Sequence, residues 1–119
     1  MITHIKGKLV EKNPTYVVVE CSGIGYHINI SLTTYEQIKN EENIFLYTHL
    51  QIKEDSHSLF GFFEISERSI FKLLISVSGI GPSVARTMLS SLSSNEIKNA
   101  ISSNDIEKIK SLKGIGLKT

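Results

Sequence analysis

The hydrophobic period of this chain changes once, near residue 64. That change limits the chain to folds that keep strands and helices in separate modules. Before it, apolar residues alternate or form β-branched runs; after it, they recur at helical spacing. IKGKLVEK runs to Asn13-Pro14, a turn signal. TYVVVEC is β-branched and aromatic. YHINISL sets Tyr26, Ile28 and Ile30 on one face and His27, Asn29 and Ser31 on the other. IFLYTHLQI and SHSLFGFF complete five strands. Between the third and fourth, TTYEQIKNEEN offers a threonine cap and helix formers, which predict one short helix. Five strands with a helix before the fourth predict a small closed barrel over residues 1–63. The OB type fits best, with an SH3-like barrel as the alternative on pattern alone.

From Ile65 the pattern is helical. ERSIFKLLISV places Ile70, Leu73, Leu74 and Val77 at i, i+3, i+4 and i+7. PSVARTMLSSL has proline in a first helical turn. SSNEIKNAISS opens with Ser93-x-x-Glu96, and NDIEKIKSLK with Asn104-x-x-Glu107, both capping-box patterns. Residues 64–119 therefore predict four or five short helices in a compact module. The fold class is α+β in two domains. The charge supports the division: residues 1–63 carry five Lys or Arg against seven Asp or Glu, net −2, and residues 64–119 eight against five, net +3.

Three GIG tripeptides punctuate the chain, at 23–25, 79–81 and 114–116. Gly23 and Gly25 lie between two strand patterns, where a hairpin turn or bulge needs positive φ. The other two form a repeat. Gly79 and Gly114 are 35 residues apart, and LISVSGIGPSV overlays IKSLKGIGLKT with apolar residues at 74/109 and 77/112 and serine at 76/111. Each follows an amphipathic helix, so the unit is helix, short glycine hairpin, helix. The hairpin amides and the first turn of the next helix lack intrahelical partners, and the helix dipole is positive there. Such a unit binds phosphate through main-chain amides and reads no bases. Ile80 and Ile115 would point inward and pin the loops. One such hairpin is more simply a corner between packed helices. Two at matched positions, with Arg86, Lys113 and Lys118 beside them, point to the phosphates of a nucleic acid. Gly79, Gly81, Gly114 and Gly116 would then present the amides.

Other chemistries find little support. A nucleotide-binding loop needs G-x-x-x-x-G-K-[ST], but Leu117 separates Gly116 from Lys118, and IEKIKSLK reads as helix where a strand is required. His4, His27, His49 and His57 have no metal-ligand spacing, and one cysteine makes a structural zinc site improbable, so neither metal nor cofactor is expected. Cys21 lies beside a run of valines, which predicts a buried, inert thiol. Composition is that of a folded soluble protein, 40% apolar and 21% charged. The chain shows no membrane-spanning run and no apolar leader in MITHIKGK, and a cytoplasmic location is expected.

The collinear pieces MI-x-x-I-KG-x-L, VECSGIGYHINISLTTY, THLQIKEDSHSLFGF, VSGIGPSVARTMLS and LKGIGLKT resemble the RuvA family over the whole chain. These are the Holliday-junction-binding subunits of the bacterial branch-migration machine. The resemblance implies an N-terminal OB barrel followed by a helical domain with two helix-hairpin-helix motifs. It implies a third, small helical domain that contacts the ATPase motor RuvB. The chain stops inside the second motif, so the following helix and the third domain are expected to be missing and the chain to be a truncated product. The resemblance also gives Lys53-Glu54-Asp55 a role, where composition alone reads a solvated turn. The acidic pair would form a pin at the centre of a four-fold tetramer, repelling phosphates to hold the junction open, while Lys53 contacts DNA. Ser83 and Leu117 depart from the family, whose members often carry lysine there. Both sit at hairpin exits that would face phosphate, so weaker and more salt-sensitive DNA binding is expected.

The expected function is a non-catalytic scaffold, a homotetramer or octamer, that binds four-way DNA junctions by structure while RuvB moves the arms in recombination and repair. Two rivals stand beside it. One is a helix-hairpin-helix fragment of a DNA-repair glycosylase or nuclease. The other is an OB module for protein or single strands. The second is disfavoured because Tyr16, Tyr26, Phe45, Tyr47, Phe60, Phe62 and Phe63 are mostly at core-like positions in an acidic half.

Overall fold

The computed structural model describes residues 2–38, 42–92, 95–97 and 99. Five strands come first, β1 (His4–Lys12), β2 (Tyr16–Cys21), β3 (Ile24–Ile30), β4 (Asn43–Lys53) and β5 (Ser56–Phe62), with helix α1 (Leu32–Ile38) between β3 and β4. They close in the order β1-β2-β3-β5-β4. The β3–β5 pairing is parallel and the others are antiparallel. This is the Greek-key barrel of the OB fold, and it removes the SH3-like alternative. β1 serves two neighbours, β4 through residues 4–8 and β2 through residues 8–12, with a register shift between Leu9 and Glu11 that bends it.

The core follows from the alternation. Ile5, Val17, Val19, Ile28, Ile30, Ile44 and Leu46 face inward, and Ile38 of α1 joins them. Ser22 and Gly23 close the β2–β3 hairpin with φ of 51° and 86°. Gly23 thus supplies the expected positive φ, but Gly25 does not; it lies within β3. Cys21 is half-buried, not buried, and its thiol donates to the Lys6 carbonyl over 3.0 Å.

Ser31 is the clearest departure in the barrel. Alternation puts it on the outer face, yet it is fully buried. The strand has ended there, and Ser31 is the N-cap of α1. Its Oγ accepts the Thr34 amide over 3.1 Å and its carbonyl accepts the Tyr35 amide. The cap is thus Ser31, not a threonine.

Helices α2 (Ile65–Ile75) and α3 (Pro82–Ser91) follow, and residues 95–97 and 99 are helical. The chain divides into two compact units, residues 1–68 and the segment from Ser69 onward. The division falls inside α2, so Glu67 and Arg68 belong to the barrel unit. The buried face of α2 is Glu67, Ile70, Phe71 and Leu74. Leu73, expected on that face, is 46% exposed, and Phe71 takes its place. Ile80, Ala85, Met88, Leu89 and Ile97 are also buried. No helix among the described residues is long and apolar enough to cross a membrane.

Candidate nucleic-acid interface

The first glycine hairpin joins α2 to α3. The end of α2 tightens, with the Ser76 and Val77 amides donating three residues back to Leu73 and Leu74. Gly79 then turns the chain at φ 88°, a region that favours glycine. The Ile80 amide donates to the Val77 carbonyl over 3.1 Å, and its side chain is buried, pinning the loop as expected.

Gly81 is the N-cap of α3, with φ −92° and ψ 175°, and Pro82 opens the helix. The first intrahelical bond runs from the Ala85 amide to the Gly81 carbonyl over 2.9 Å. With glycine at the cap there is no side-chain cap bond. The amides of Ser83 and Val84 therefore open the helix at its positive end without a capping side chain. Gly81 has extended backbone that any residue adopts. A Cβ built on it meets no other atom within 4 Å among the described residues. Among the described residues, neither conformation nor packing requires glycine there. Ser83 is exposed on the same turn. Arg86 is half-buried on the next, and partial burial draws its pKa below the usual arginine value. Lys113, Gly114, Gly116 and Lys118, with Ile115 and Leu117, lie outside the described residues.

Lys53, Glu54 and Asp55 are exposed at the tip of the β4–β5 hairpin. Lys53 pairs with Ser56, so Glu54 and Asp55 form a two-residue turn. Neither has positive φ, whereas two-residue hairpins favour primed turns built on Asn-Gly or Asp-Gly. Turn chemistry thus does not account for the two carboxylates. His49, half-buried, pairs with Gln51 Oε1 at 3.1 Å, and His57 is exposed opposite Ile52. Among the described residues no group of three or more His, Cys, Asp or Glu could hold a metal ion.

Two features escaped sequence reasoning. Glu67 is 4% exposed and accepts hydrogen bonds from Ser31 Oγ at 2.7 Å and Thr34 Oγ1 at 2.6 Å. Its pKa is raised, chiefly by burial; the Thr34 and Ser31 hydroxyls pull it down, and nearby Glu64 adds to the rise. The partners lie 36 and 33 residues away, beyond any local pattern. The second feature is aromatic. Phe60 and Phe62 are buried as expected, but Phe45 is 40% and Phe63 39% exposed, and Tyr16, Tyr26 and Tyr47 are half-buried.

Residues 1–61 match the RuvA N-terminal domain family, and residues 71–119 match the SAM-like helix-hairpin-helix tandem family. Over its whole length the chain is 64% identical to the Holliday junction branch migration complex subunit RuvA of Christiangramia forsetii, covering 62% of that protein. It is 63% identical to the protein of that name from Flavobacterium psychrophilum, again covering 62%. The corresponding Bacteroides thetaiotaomicron protein is 49% identical, with 59% covered. The chain therefore spans about three fifths of the length of these curated relatives.

Proposed function

The chain belongs to the RuvA N-terminal domain family, and from that premise we propose that it is a non-catalytic scaffold binding four-way DNA junctions by structure. The observation that carries this reading is Gly81. A glycine that neither its backbone nor any neighbour among the described residues requires stands at the positive end of a helix that has no side-chain cap bond. A DNA phosphate fits that opening, with the Ser83 and Val84 amides as donors and Arg86 as the adjacent charge. Gly114, Gly116, Lys113 and Lys118 would repeat the grip in the second hairpin.

The acidic tip supplies selectivity. Glu54 and Asp55 cost affinity for any DNA that approaches them. They are useful only where strands must be kept apart. A homotetramer, or an octamer of two such rings, would gather four tips at one centre, with Lys53 reaching the adjoining backbone. RuvB would move the arms in recombination and repair, and would be engaged by protein outside residues 1–119. The setting is the cytoplasm.

The decisive experiment is titration of the chain against a labelled four-way junction, with linear duplex of equal length as competitor, at two salt concentrations. Preference for the junction by orders of magnitude is expected. Equal binding to both would sink the pin and the tetramer, leaving generic phosphate binding.

A further inference from the structure

We infer that the outer face of β1 and β4 is a second nucleic-acid site, a stacking platform for one unpaired DNA strand. It goes beyond junction binding and rests on the barrel unit alone. Ile5 is buried on β1, and Ile44 and Leu46 on β4, so His4, Lys6 and Lys8 face outward with Phe45 and Tyr47. The register sets His4 opposite Tyr47 and Lys6 opposite Phe45.

The rings form a continuous surface. His4 stacks on Phe45 with centroids 5.0 Å apart and planes 14° from parallel, and Tyr47 meets Phe45 edge-on at 5.0 Å. The Arg68 guanidinium lies 5.4 Å from the Tyr47 centroid and is held by a 2.8 Å bond to the Thr3 carbonyl. Phe45 remains 40% exposed, an apolar ring offered to solvent between two cationic flanks. Lys6 and Lys8 lie about 7 Å apart along β1. The register places no acidic residue opposite His4 or Lys6; Glu20, opposite Lys8, ends the strip.

A cleft adjoins the strip. Its volume is about 360 Å³, and its walls include His4, Lys6, Cys21 and Tyr26. That lies at the small end of the size range of ligand sites, suited to a single base leaving the stack. Aromatic faces interleaved with lysine and arginine bind unpaired strands by base stacking and phosphate attraction. The charge complementarity selects a nucleic acid over an apolar partner.

The chain contains no tryptophan, so a Phe45→Trp variant carries a single indole at the platform. Titration with oligothymidylate of about 16 nucleotides should quench its emission saturably, and blunt duplex should quench it less. With labelled oligothymidylate, Phe45→Ala and the Lys6→Ala/Lys8→Ala pair should each weaken binding about fivefold or more. Gly81→Asp should leave it unchanged, which separates this site from the junction grip. Absence of quenching, or Phe45→Ala binding as tightly as the parent, would overturn the assignment. So would self-association abolished by Phe45→Ala without any oligothymidylate binding, since the face would then be an interface between copies.

Discussion

Thr34 donates its hydroxyl to Glu67 Oε1 over 2.6 Å, joining the first turn of α1 to the first turn of α2. The same hydroxyl oxygen accepts the Phe63 amide at 3.3 Å, and Ser31 donates to the other carboxylate oxygen. One buried carboxylate thus ties the helix cap, the end of β5 and the start of α2 together within the barrel unit.

Glu67 should therefore give stability a particular pH dependence. Burial raises its pKa in the folded chain above the ordinary 4.5. The folded state then holds the proton more tightly than the unfolded state. This contribution is fully present below about pH 4.5 and is lost as pH rises through the raised folded value. Glu67→Gln should remove that slope and match or exceed the parent stability at pH 7, because no charge is then buried. Glu67→Ala should cost about 1–3 kcal/mol by stranding the Ser31 and Thr34 donors. Urea melts of the three proteins between pH 4 and 8 (a range spanning about 4 units around the shift) read both effects. Parallel pH profiles for parent and Glu67→Gln would show that Glu67 does not titrate differently on folding.

Gly81→Asp should move stability and binding in opposite directions. Gly81 is the N-cap of α3, where aspartate exceeds glycine by a few tenths of a kcal/mol and its charge suits the helix dipole. The same carboxylate would fill the opening proposed for phosphate. Melting temperature should hold or rise slightly while junction affinity falls more than tenfold. Gly81→Ala, whose Cβ meets nothing within 4 Å among the described residues, should fold normally. Gly79→Ala, at φ 88°, should instead cost about 1–2 kcal/mol. Undiminished junction binding by Gly81→Asp would remove the hairpin from the interface.

The barrel was legible because its strands carry a period of two, and burial of alternate residues in β2 and β3 follows that period. Alternation places Ser31 outside only when it is carried one residue past the end of β3, where the chain turns into α1. Its partner Glu67 is distant in sequence, and a charged residue in a helical pattern reads as solvent-facing. For Leu73, the stripe through residues 70, 73, 74 and 77 and the buried one through 67, 70, 71 and 74 differ by a small rotation of α2, which periodicity does not resolve. Glu67, Ile70, Phe71 and Leu74 are the buried set. The hairpin was legible from its glycines, but the sequence does not say that Gly79 has positive φ while Gly81 has extended backbone. The β1–β4 platform depends on cross-strand register, which composition does not contain: a half that is net acidic still presents a local basic face.

Replacing Glu54-Asp55 by Asn-Gly tests the tip against its own turn chemistry. Asn-Gly lets this two-residue hairpin adopt the primed geometry that the present turn, with no positive φ, does not have, so the hairpin should still form. Both negative charges vanish with it. Affinity for junction and duplex should hold or rise, and the preference for the junction should shrink toward unity. Glu54→Gln with Asp55→Asn, which keeps the side-chain shapes, should give the same loss of preference. Competition titration of the two variants decides the matter, and an unchanged preference would remove the carboxylates from junction recognition.

Arg86 should register in the salt dependence of binding. Partial burial lowers its pKa, yet the guanidinium stays charged at any working pH. If it neutralises one phosphate, Arg86→Met should reduce the slope of log K against log salt by about 0.9 while keeping the apolar stem packed on α3. Arg86→Lys should restore the slope, since lysine carries the same charge, though without the planar fork. Arg86→Met with the parent slope but weaker binding would show that Arg86 shapes the helix and does not meet the backbone. Gly81→Asp combined with Arg86→Met should then lose little more than Gly81→Asp alone if both act on one phosphate, because residues sharing a partner are not additive. Full additivity would place them on separate contacts.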